Sequence, residues 1–94
     1  MISNVTVRTG SVAVSDSVKE DGKYQTRAVT VNCASGEKAI SATTGWSDDN
    51  DNLALTTVGI KPLLLNSAVV GYTARGGNDS GQSSTFTLYV SCYK

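Results

Sequence analysis

Each of the two cysteines in this 94-residue chain ends an alternating run, and that arrangement restricts the fold more than any other feature. In residues 28–33, Val29, Val31 and Cys33 fall on one side. In residues 85–92, Phe86, Leu88, Val90 and Cys92 do the same. A pleated strand sends every second side chain to one face, so both sulfurs point into a common apolar layer. This phase predicts a Cys33–Cys92 disulfide stapling a layered β-fold. Two reduced cysteines packed as small hydrophobes are the plainer alternative. A staple suits a single domain spanning 1–94, because a chain this short buries only a modest core.

The remaining sequence reads as further strands. Val5 and Val7 alternate with Thr6 and Arg8, and the phase then flips at Gly10 to Val12 and Val14, which suggests a bulge between two short strands. Glu20-Asp21-Gly22-Lys23 has tight-turn chemistry, and residues 24–33 follow as a Thr- and Val-rich strand. A turn at 34–37 leads to residues 38–46, with Ile40, Ala42, Thr44 and Trp46 in phase. Residues 53–60 form another strand, which Pro62 ends because proline cannot donate to a ladder. Residues 63–67 read as an irregular link or one helical turn, residues 69–75 as a strand, 76–81 as a loop, and 83–93 as the last strand. The prediction is an all-β antiparallel sandwich or jelly roll of about seven short strands, with Trp46, Tyr72 and Phe86 in its core.

Composition excludes several functions. Eight basic residues balance eight acidic ones without a basic cluster, so no long-range field draws the chain to nucleic acid or an anionic membrane. Apolar runs such as Leu63-Leu64-Leu65 are too short to span a bilayer. The start of the chain lacks a charged segment followed by an apolar one, so no signal peptide is expected. With a disulfide, that fits either an excised secreted domain or a protein released by lysis whose thiols oxidise afterwards.

From residue 31 to residue 93 a pattern emerges: Cys33-Ala34-Ser35-Gly36, Gly45-Trp46, Pro62, Gly71-Tyr72-Thr73-Ala74-Arg75, Asn78, and a Thr-rich strand ending at Cys92. It resembles small β-sandwich modules of bacterial secreted proteins and of phage structural proteins, in decoration and tail roles. Ala34 stands where that pattern often has proline, and Tyr72 where tryptophan is commoner. The resemblance implies a non-enzymatic module used for attachment, display or decoration.

Catalytic chemistry finds little support. Histidine, the usual base for a serine or cysteine nucleophile, is absent. Asp48, Asp49 and Asp51 crowd one turn, whereas glycoside hydrolysis needs carboxyls opposed across a cleft. Asp48, Asn50 and Asn52 have the spacing that opens a calcium loop, but Leu53 replaces the turn glycine and no bidentate glutamate follows. A hydrated turn is the better reading, and no metal or cofactor is expected. Asn4-Val5-Thr6 and Asn78-Asp79-Ser80 match a glycosylation sequon that matters only along a eukaryotic secretory route.

Three features suit a partner. Residues 1–12, through Val5 and Val7, form either an edge strand or an arm that adds to a neighbour. Asp48, Asp49 and Asp51 could face a basic patch. Tyr89 and Tyr93 share a strand face with Thr85 and Thr87, fit for a glycan or another subunit. The expectation is a phage virion structural protein, a homotrimeric capsid decoration (cement) protein or tail-attachment domain on the major capsid or another virion protein. The alternative is a carbohydrate-binding module of a secreted, extracellular bacterial protein.

Overall fold

A computed structural model describes residues 4–14, 25–47, 55–78 and 83–94. It is all-β, with two antiparallel three-stranded sheets packed face to face. Sheet I has the order β1 (Thr6–Val14), β6 (Ser84–Tyr93), β3 (Lys38–Trp46). Sheet II has the order β2 (Gln25–Asn32), β5 (Ala68–Asn78), β4 (Leu55–Leu65). The described residues thus form six strands rather than seven.

β6 organises the core. It is the central strand of sheet I, and its even-numbered residues Phe86, Leu88, Val90 and Cys92 are all 0% exposed. Burying side chains of this size contributes roughly 1.5–3 kcal/mol each. Val14 of β1 and Val31 and Ala74 of sheet II complete the buried cluster, with Val12, Val29, Trp46 and Tyr72 packed against it. Trp46 is only half-buried and tilts against Phe86 with ring centroids 5.0 Å apart. The room for both rings comes from Gly76 across the sandwich, where a Cβ would lie 2.7 Å from Phe86 and 2.8 Å from Trp46.

The two cysteines meet as expected. Cys33 follows β2 in sheet II, Cys92 lies on β6 in sheet I, and their sulfurs are bonded at 2.06 Å. The disulfide therefore bolts the sheets together at one end of the sandwich. At the other end the buried Asn78 amide donates to the Val14 carbonyl at 3.0 Å, again tying one sheet to the other. Between β3 and β4, the Thr44 and Thr57 hydroxyls bond at 2.7 Å.

Five local expectations need correction. Gly10 forms no bulge: β1 keeps one register with β6 from Thr6↔Cys92 to Val14↔Ser84. Glycine makes room there for two valine side chains of β2, since a Cβ would sit 2.8 Å from Val31 Cγ2 and 3.1 Å from Val29 Cγ2. Ile40 does not share the Ala42 face. The register with β6 shifts between Ala39 and Ser41, leaving Ile40 as the extra, exposed residue while Ala39 packs inward. Pro62 does not end β4, which continues to Leu65; β4 is an edge strand, where a missing N–H can face the open side. Residues 63–67 are neither an irregular link nor a helical turn, although the register of β4 on β5 shifts between Leu63 and Leu64. They end β4 and form a two-residue hairpin at Asn66 and Ser67, whose φ values of 51° and 68° match a type I′ turn. Gly76 and Gly77 likewise belong to β5 instead of a loop. The turn at 20–23 lies outside the described residues.

Candidate interaction surfaces

Strand directions define two poles. β1, β3 and β5 start at the disulfide pole, and β2, β4 and β6 end there. The turn at 34–37 and the β4–β5 hairpin belong to this pole. Gly36 has φ of 82°, and the Glu37 amide bonds the Ala34 carbonyl at 2.9 Å. Arg8 reaches from β1 into this turn. Its Nε and Nη2 donate to the two Glu37 oxygens at 2.8 and 2.9 Å, a forked pair, while Glu37 Oε1 also accepts from the Ala34 amide. The Arg8 fork first, and then the Ala34 amide, hold the Glu37 carboxyl at about 2. Cys33, Glu37 and Cys92 place their donor atoms within 4.8 Å of one another. Both sulfurs are spent on the disulfide and the carboxylate on Arg8, so the cluster is a lock on the turn, not a cation site.

The same pole is apolar on its outside. Val5, just before β1, and Val7 at its start are 56% and 57% exposed, and Leu64 and Leu65 at the hairpin tip are 64% and 61% exposed. Ile40, the extra residue of β3 next to Ala39↔Cys92, is exposed at the same pole. β2 stops pairing at Asn32↔Gly71, so the hairpin tip projects beyond it. A single exposed valine or leucine needs no explanation; this pole carries five exposed large apolar residues, drawn from both sheets.

Tyr89 and Tyr93 lie on the outer face of sheet I. Tyr89 is exposed and has Thr9 of β1 and Thr43 of β3 as its register partners, with its ring over Gly45. Tyr93 is half-buried opposite Lys38. Ser11 and Thr87 share a hydroxyl–hydroxyl bond of 2.9 Å on that face. Val7, paired with Ser91, belongs to it as well, so three of the residues singled out from the sequence share one surface. Asp48, Asp49 and Asp51 lie outside the described residues.

Sequence reasoning missed Ile40, Leu64 and Leu65 as surface residues. Three leucines running into Asn-Ser before another apolar run were the available signal of a hairpin tip. The chain matches no protein-family model, no curated protein and no solved structure with which it was compared.

Proposed function

We propose that this protein is a non-enzymatic attachment module that docks through its disulfide pole, with a phage virion as its setting and capsid decoration or tail attachment as its role. The observation that carries this reading is the gathering of Val5, Val7, Ile40, Leu64 and Leu65 at the pole locked by Cys33–Cys92 and Arg8–Glu37. A rigid, cross-linked end presenting apolar side chains loses little freedom on docking, so more of the burial energy is retained as affinity. Copies arranged around a symmetry axis of a shell, as a homotrimer, multiply a weak contact by effective concentration.

The double variant Leu64→Ser/Leu65→Ser tests the docking pole, since both side chains are solvent-exposed and their loss leaves the core intact. It should fold with an unchanged circular dichroism spectrum, yet fail to co-sediment with particles and fail to protect them against heat. Full retention on particles would remove the hairpin tip from the contact. A glycan-binding reading is supported by one separate observation, the exposed Tyr89 ring amid hydroxyls on sheet I. It requires Tyr89→Ala to abolish saturable sugar binding.

A further inference from the structure

The outer face of sheet II holds a depression of about 310 Å³ lined by Ala28, Val58, Gly59, Lys61, Thr73 and Arg75. This volume is at the lower end of the range for small-molecule sites. The depression lies on the face opposite the Tyr89 surface. It is built by a defect in strand pairing. The register of β4 on β5 shifts between Thr57 and Gly59, so Val58 is an extra residue, 58% exposed, and it forms a wall over Gly77. Bulges of this kind re-aim side chains beside functional sites. Gly59 then supplies the gap: it pairs with Arg75, and a Cβ placed on it meets nothing within 4 Å.

Two cations line the gap. Lys61 pairs with Thr73 and Arg75 with Ala28 and Gly59, placing both on the outer face. Arg75 Nη1 donates to Thr26 Oγ1 at 3.0 Å, which orients the guanidinium without neutralising it. Thr73 Oγ1 is itself fixed, accepting from Thr30 at 3.1 Å and donating to the Val29 carbonyl at 3.2 Å. Among the described residues neither Lys61 nor Arg75 has an ion-pair partner, whereas Arg8 does. An oriented guanidinium beside an ammonium, over a floor of alanine and glycine and against a valine wall, suits a ligand that is anionic at one edge and apolar on one flat face.

We propose that this depression binds the carboxylate and ring face of an acidic saccharide, with Arg75 pairing the carboxylate, Lys61 adding charge, and Val58 packing on the sugar ring. The assignment is independent of the docking pole, which lies at the disulfide end of the strands, whereas the depression lies midway along β4 and β5 on the outer face of sheet II. Arg presents a planar fork matched to a carboxylate, which a lysine pair alone does not.

The test is an amide-resolved NMR titration of the full chain with a glucuronic acid oligosaccharide, the matching neutral glucose oligosaccharide, and acetate. The acidic sugar should shift the amides of residues 58–61 and 73–75 and bind at least about tenfold more tightly than either control. Arg75→Gln should weaken it by about tenfold or more. Gly59→Phe should abolish binding by filling the gap; its folding is read from an unchanged Cys33–Cys92 disulfide and unperturbed core amides on β6. Equal binding of acetate overturns the saccharide assignment. Absence of shifts at 58–61 and 73–75, or undiminished binding by well-folded Gly59→Phe, overturns the site.

Discussion

Arg8 and Glu37 show how one side-chain pair makes a small fold sensitive to acid. Arg8's fork and the Ala34 amide lower the Glu37 carboxyl from an ordinary 4.5 to about 2. A carboxyl more acidic in the folded than in the unfolded chain adds stability that is complete above 4.5 and drains away as pH falls toward 2. The urea midpoint should therefore decline across that window, and the decline should be shallower in Glu37→Gln. Parallel curves for the two proteins would show that the pair does not govern acid stability. This pairing was not legible in the sequence, because Arg8 and Glu37 are 29 residues apart and adjoin only once β1 and the 34–37 turn reach the same pole. Cys33 and Cys92 were legible at the same scale because strand alternation carries phase over any distance. Ile40 was not, since one inserted residue reverses the phase and leaves no mark in a run of Ala, Ile and Ser. Gly10 was misread for a related reason: a glycine at a phase change reports equally a bulge or a neighbour pressed close.

At the scale of elements, legibility followed the position of each strand in its sheet. β6, central and buried on one face, has clean alternation and was placed within a residue. β4, at the edge of sheet II and exposed along nearly its whole length, has no alternation to read, and its proline pointed to an early end. An edge tolerates what a central strand does not. The β4–β5 hairpin supplies a direct test of turn chemistry. Ser67 holds φ of 68°, a left-handed conformation that costs an ordinary side chain about 1–2 kcal/mol and a glycine almost none. Part of that gain is lost to the greater freedom of glycine in the unfolded chain, so Ser67→Gly should stabilise the protein by about 0.5–1 kcal/mol. Chemical denaturation measures this, and a destabilised variant would mean that the Ser67 hydroxyl matters more than its backbone angle.

For the molecule as a whole, the decisive feature is covalent. Cys33 and Cys92 are 59 positions apart, so their bond closes most of the chain into a loop. Removing that constraint from the unfolded state should lower stability by about 4 kcal/mol in the chain-entropy account. A shift of the guanidinium midpoint on reduction by dithiothreitol reports it directly, and a shift near zero would mean that packing around Phe86, Leu88 and Val90 suffices alone. The sandwich was foreseeable because alternation, turn residues and the cysteine phase agree. That the disulfide pole gathers exposed apolar residues was not, because it depends on where three separate strand ends, of β1, β3 and β4, come together. The bond also governs how the protein would respond to being pulled. The described termini lie side by side, since Thr6 pairs with Cys92. Tension between them would unzip β1 from β6 one rung at a time, and lengthening would halt at Cys33. Only the first 33 residues and the last two could pay out, a tether of about 120 Å at full stretch, while β3 to β6 stayed folded as a knot behind the sulfur bridge.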